Sequence, residues 1–248
     1  NLKLIVRNPK NLNSEEELAF IKKLNPDIVI VVAYGQLISK EFLNIVKNGF
    51  INIHASLLPK WRGAAPIQRS IMNSDNETGI SIMKISKELD AGPVMKKIKI
   101  KIDETTTADD LSKNLSKISS DAIIQILDEI FDKKSKFIEQ NHNFATYAKK
   151  IKKSEAKINW NENAKKILAK INGLNPDPGA WFLHKETRYK IWKAKILDKK
   201  GPIGVILDSN FTIGCKDKSL EIIEIQKEGK NKLQLKNFLR GINFQQGD

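Results

Sequence analysis

Two polar side chains, Asn52 and His54, fall two residues apart in the run Phe50-Ile51-Asn52-Ile53-His54. Side chains of a β-strand alternate faces, so Ile51 and Ile53 point one way and the amide and imidazole point the other. A carboxamide beside an imidazole suits stabilisation of an oxyanion, because both donate hydrogen bonds to the charge that develops in a tetrahedral intermediate. The same pair also suits a plainer task, capping a strand end by satisfying loop backbone. Further along, Leu89-Asp90-Ala91-Gly92-Pro93 has the composition of a turn, and taken alone Asp90 reads first as a turn residue. Such a turn could also return a carboxylate to His54, where it would hold the ring's tautomer and favour its charged form.

Between these groups lies Ser56-Leu57-Leu58-Pro59-Lys60-Trp61-Arg62-Gly63-Ala64-Ala65-Pro66-Ile67-Gln68. Its small residues and prolines let a ligand approach the backbone closely. Trp61 and Arg62 are expected outside the core, since an unpaired Arg is almost never buried.

Other chemistries find little support. His54, His142, His184 and the single Cys215 are scattered without zinc-ligand spacing, so no metal is expected. No glycine cluster of the phosphate-binding kind is present. Cys215 sits among apolar residues and reads as an inert core thiol; one cysteine rules out an internal disulfide, which suits a reducing, cytoplasmic compartment. The longest apolar run, residues 28–33, falls far short of the ~20 residues of a membrane span, and no signal-peptide pattern opens the chain. A soluble protein without a membrane partner is expected.

The elements that must position Asn52 and His54 can be read from periodicity. Ser14 followed by Glu15, Glu16 and Glu17 predicts a helix start, with Leu18, Ile21 and Leu24 as its apolar stripe and Pro26 as its stop. Residues 28–33 read as a strand buried on both faces, residues 39–47 as a short helix, and residues 50–54 as the next strand. This alternation predicts a parallel α/β sheet. Strands are expected at 79–85 and 96–102, and a long helix from Thr107 to about Phe131. The chain opens at Asn1 into a strand-like run, Leu2 to Val6, as though an N-terminal part preceded it. A helix near 164–171 is followed by short strand-like segments at 181–183, 189–196, 204–207, 212–215 and 220–225, which suggest a small barrel or sandwich.

Charge divides unevenly along the 248 residues. Of the net +14, residues 1–132 carry +1 and residues 133–248 carry +13. Compositional drift would affect both halves alike, whereas a one-sided basic balance is the footprint of a polyanion contact. Residues 133–157, with eight lysines against Glu139 and Glu155, read as a basic connector. The expected organisation is therefore a catalytic domain over 1–132, the connector over 133–157, and a β-barrel-like domain over 158–248.

Asn-x-His-x-Ser-Leu-Leu-Pro followed by Leu-Asp-x-Gly resembles the folate-dependent formyltransferases. The string from Ser56 to Gln68, with Val32-Ala33-Tyr34-Gly35, Tyr147-Ala148-Lys149-Lys150-Ile151 and Ala156-Lys157-Ile158-Asn159-Trp160, is similar to the members that act on methionyl-tRNA. The resemblance implies a Rossmann-like sheet, N-terminally incomplete here, followed by a small OB-like barrel. It implies formyl transfer from 10-formyltetrahydrofolate to initiator methionyl-tRNA, with Asn52, His54 and Asp90 catalytic. It also implies that Tyr34, Ser56, Leu57, Leu58 and Pro59 line the reduced-folate pocket. The basic half, through Arg62, Lys149, Lys150, Lys152 and Lys153, would then hold tRNA phosphates, and a monomer is expected. Relatives open with a further strand–helix–strand stretch that carries a basic tRNA-contacting loop, absent here, and Ala55 stands where many have Gly. Two alternatives stay open: a formyltransferase for a small amine (of purine synthesis, or of an amino-sugar nucleotide), and an inactive RNA-binding fragment.

Overall fold

The computed structural model describes residues 3–241 and 244–248. They divide into two compact units. One comprises Asn1–Ala64, Gly79–Lys99 and Ile118–Tyr147; the other comprises Ala65–Thr78, Ile100–Lys117 and Ala148–Asp248.

In the first unit α1 spans Glu15–Leu24, and its Ser14 cap accepts the Glu17 N–H as its sequence predicts. It leads to β1 (Val29–Val32), α2 (Lys40–Ile45) and β2 (Phe50–His54). The chain returns through β3 (Glu77–Lys84) and β4 (Val94–Lys101), and the sheet order is β1-β2-β3-β4. β1 and β2 are parallel, with Val29 opposite Phe50, whereas β2 and β3 are antiparallel, with His54 opposite Ser81. The sheet is therefore mixed, its parallel part being the strand–helix–strand unit read from the sequence. Phe42, Val46 and Phe50 form a core against which Leu18, Ile21, Val29 and Val31 pack. Burying each such side chain fully stabilises by about 1.5–3 kcal/mol.

Two expectations fail in this unit. β1 is not buried on both faces: it is an edge strand of the described sheet, three of its residues are half-buried and Val32 is 58% exposed. Of the strand read over 2–6, Leu2 lies outside the described residues. Leu4, Ile5 and Val6 are exposed and irregular, because no strand among the described residues pairs with them. The segment is tied down instead by Arg7, which ion-pairs with Glu16 and Glu17 of α1.

The second unit contains α3 (Pro66–Met72), a helix that no apolar periodicity in the sequence predicts; Pro66 at its first position suits a helix start. α4 (Ala108–Phe131) begins in this unit, and α5 (Ala164–Gly173) packs on α3. Next come β5 (Ala180–His184), β6 (Thr187–Leu197), β7 (Thr212–Gly214), β8 (Ser219–Lys227), β9 (Leu233–Gln234) and a short α6 (Leu235–Phe238). These strands make an antiparallel sheet of order β5-β6-β8-β7, with β9 also on β8. Register shifts around Lys193 mark bulges in β6, which bend the sheet into a half-barrel. Its concave side holds Ile167 and Ile171 of α5, together with Phe182, Tyr189, Ile191, Ile213, Leu220 and Ile225. The strand expected at 204–207 is reduced to single bridges from Ile203 and Ile206, because Gly204 there takes φ +77°. Cys215 lies in the same core, and burial pushes its thiol up to about 12.

Candidate active site

His54 is the last residue of β2, at the carboxyl end of a strand, where open α/β sheets place their ligands. Its side chain is only 6% exposed. Nε2 lies 2.8 Å from the carbonyl oxygen of Trp61. A carbonyl only accepts, so Nε2 carries a proton and donates it. The other ring nitrogen, Nδ1, stands 3.6 Å from Asp90 Oδ2, and a second proton there makes the two an ion pair. Asn52 shares this face of β2 by strand alternation and is half-buried. Its amide has no hydrogen-bond partner among the described residues.

Asp90 comes from the turn between β3 and β4. Its backbone takes φ +49°, unusual for a residue other than glycine, and its Oδ2 accepts the Gly63 N–H at 2.8 Å. The turn depends on Gly92, since a Cβ at that position would come within 2.0 Å of the Lys84 carbonyl oxygen. Gly63 has φ +113°, which a side chain would strain. His54 and Asp90 are thus brought together, with Asn52 on the same face of β2 and the Trp61–Gly63 loop bonded to both His54 and Asp90.

The expectation that Arg62 lies outside the core is overturned. Its residue is 2% exposed, and Nε and Nη2 both donate to Gln140 Oε1, at 3.1 and 2.7 Å. Nη1 faces His142 Nδ1 at 3.4 Å. An arginine can be buried when its N–H groups find acceptors, and here the Gln140 carboxamide oxygen accepts from two of its nitrogens. The partners of this loop escape a reading of the sequence. Thr146 accepts the Arg62 N–H through its carbonyl (2.8 Å) and the Trp61 N–H through its hydroxyl (2.9 Å), and its own N–H donates to the Pro59 carbonyl. Gln140 and Thr146 lie far along the chain in a charged stretch, where no local pattern marks them. Only a buried glutamine's need for partners points to the first.

The Ser56–Pro59 loop divides into an inner and an outer set. Ser56 is fully buried and its hydroxyl donates to the Lys60 carbonyl. Leu58 packs with Met83 and Val94. Ser81 Oγ donates to the Ser56 carbonyl at 2.7 Å and accepts the Leu58 N–H at 3.0 Å, fastening the loop to β3. Leu57 and Pro59 remain half-buried, and Tyr34, just beyond β1, is 43% exposed.

In the second unit Lys149, Lys150, Lys152 and Lys153 are all exposed. Their segment is fastened from below. Arg69 donates to the carbonyls of Lys149 and Lys150 and forms a two-pronged ion pair with Glu155, at 2.7 and 3.0 Å. The Arg69 hydrogen bond holds the Glu155 carboxyl at about 2, well below the usual carboxylate range. Among the described residues no group of three or more His, Cys, Asp or Glu side chains is placed to hold a metal, and no helix is long and apolar enough to cross a membrane.

With that geometry in place, the comparisons with known proteins are specific. The formyl transferase family model matches residues 3–127, and the formyl transferase C-terminal domain matches residues 150–243. The chain belongs to the formyl transferase family. It is 52% identical over 243 residues to the methionyl-tRNA formyltransferase of Pelagibacter ubique, covering 97% of this chain and 78% of that one. Its fold is similar to that of the methionyl-tRNA formyltransferase from Clostridium thermocellum, with a TM-score of 0.60 at 22% identity, covering 87% of this chain and 85% of that one. HypX from Aquifex aeolicus, solved in complex with tetrahydrofolic acid, is similar with a TM-score of 0.69 at 19% identity. That match covers 90% of this chain, which spans only 40% of the length of HypX.

Proposed function

We propose that this chain transfers the formyl group of 10-formyltetrahydrofolate to the free amino group of methionyl-tRNA, giving initiator formylmethionyl-tRNA. The observation that carries the reading is His54 lying 3.6 Å from Asp90 at the end of β2, with Asn52 on the same strand face, in a member of the formyl transferase family. The likeness at 52% identity to a protein named for methionyl-tRNA supports that acceptor over a small amine.

In this reading the amine nitrogen bonds to the formyl carbon, and the formyl oxygen takes the negative charge. The Asn52 amide and a ring N–H of His54 donate to it. An oxyanion outcompetes the neutral Trp61 carbonyl for His54 Nε2–H, because charge-assisted hydrogen bonds are roughly twice as strong as neutral ones. The Asp90 carboxylate compensates the charge of a doubly protonated His54. A proton leaves the attacking nitrogen through Asp90 and a water. The carbonyl re-forms, the bond to the folate nitrogen breaks and that nitrogen takes up a proton.

Tyr34, Leu57 and Pro59 line the folate pocket with their exposed surfaces, while Ser56 and Leu58 shape the loop from inside. The four exposed lysines hold tRNA phosphates, giving affinity with little sequence readout. The catalytic domain over 1–132 and the tRNA-binding domain over 158–248, joined by the basic connector, divide the work. All three catalytic side chains come from one chain, so the site needs no second subunit, which fits a monomer; the cytoplasmic location rests on the likeness to methionyl-tRNA formyltransferases.

The test is formyl transfer by the purified chain to methionyl-tRNA and to small amines, in parallel. Formylmethionyl-tRNA as the product upholds the reading. Formylation of small amines alone, or none, overturns it.

A further inference from the structure

We infer that Gln140 is a positioning residue for the Asp90 carboxylate, joining the Asp90 turn to the loop that carries Gly63. The inference rests on the formyl-transfer reading of Asn52, His54 and Asp90.

The Gln140 carboxamide is buried and uses all four of its hydrogen-bonding positions. Nε2 donates to the carbonyls of Asp90 and Gly92, each at 2.8 Å. Oε1 accepts Nε and Nη2 of Arg62. The amide has one workable orientation: turned over, it would set its oxygen against two carbonyls and its NH₂ against a guanidinium. One side chain therefore grips both halves of a contact it does not itself make. Its donors clamp the two carbonyls that flank Ala91, fixing a turn whose Asp90 has a backbone conformation that needs outside support. Its acceptor fixes Arg62, the residue before Gly63. Between them runs the bond from Gly63 N–H to Asp90 Oδ2, which orients the same oxygen that stands 3.6 Å from His54 Nδ1. Productive geometry tolerates little error, and a misplacement of about 1 Å can cost 10²-fold in rate.

The decisive variant is Gln140→Glu in the full chain. Glutamate keeps an acceptor for Arg62, and strengthens it with charge, but it loses both donors to the Asp90 turn. The expected result is a folded protein that melts below wild type, because a carboxylate oxygen now faces the Asp90 and Gly92 carbonyls, with kcat reduced about 10–10²-fold and KM for both substrates unchanged. Gln140→Ala, which loses both grips, should fall at least as far. By NMR, the Gly63 amide should be protected from hydrogen exchange in the wild type and lose that protection in Gln140→Glu. A merely structural glutamine would lower the melting temperature and leave kcat alone. A folded Gln140→Glu with full kcat, a loss confined to KM, or an unprotected Gly63 amide in the wild type overturns the inference, and the last needs no variant to fold. Absence of formyl transfer by the wild type defeats the functional reading instead. An active wild type, an inactive Asp90→Asn and a fully active Gln140→Glu defeat this inference alone.

Discussion

Asp90 Oδ2 accepts the Gly63 N–H at 2.8 Å and faces His54 Nδ1 at 3.6 Å, so one carboxylate oxygen belongs both to the loop that closes the site and to the imidazole inside it. Asp90→Asn tests what that oxygen does. An asparagine can still accept the Gly63 N–H and fill the turn, but it can neither balance a charged His54 nor take a proton. The variant should melt like the wild type and show no measurable formyl transfer. A folded Asp90→Asn protein with ordinary turnover would reduce Asp90 to a turn residue.

Asn52 and His54 are expected to act on the oxyanion and not on folate affinity. Asn52→Ala and His54→Ala should each lower kcat by about 10²–10³-fold while the Kd for reduced folate changes little. Steady-state rates and a folate titration on each variant check this. Near-normal turnover in either would remove that residue from the oxyanion role.

The lysines of the second unit should report through salt. Replacing Lys149, Lys150, Lys152 and Lys153 together with glutamine should weaken tRNA binding. It should also flatten the dependence of log affinity on log salt, by about 0.9 for each duplex phosphate that is no longer neutralised. Folate binding should not change. If these lysines are only a solvated face, the two proteins will give superimposed lines across the salt series.

Glu155 gives a pH-dependent term. Its carboxyl is held at about 2 in the folded protein against 4.5 ordinarily. The stabilisation is therefore fully present above the unfolded value and is lost as pH falls from about 4.5 through about 2. Its side chain keeps 31% of its surface in solvent, so the full linkage value must be discounted, and Glu155→Gln should cost about 1 kcal/mol at pH 7. Urea melts of both proteins should converge as the pH approaches 2. A gap that persists there would mean the effect is packing and not charge.

What the sequence by itself determined is what short-range physics encodes. Ser14 with three glutamates in the next turn wrote the start of α1. The apolar–polar alternation of residues 50–54 placed β2 and set Asn52 and His54 on one face. The charge asymmetry located the exposed lysines. The motif around Ser56 carried the family.

Only the tertiary structure decided where long-range partners fall. β1 reads as a doubly buried strand, yet it lies at a sheet edge, because strand order is not written in a strand's own residues. Arg62 reads as a surface cation, yet it is buried, because the carboxamide that satisfies it arrives from Gln140, 78 residues further along the chain. The Asp90 turn is held in the same way, by donors remote in sequence. Local pattern reveals that a buried polar group must be satisfied, but only the packed fold reveals by which residue.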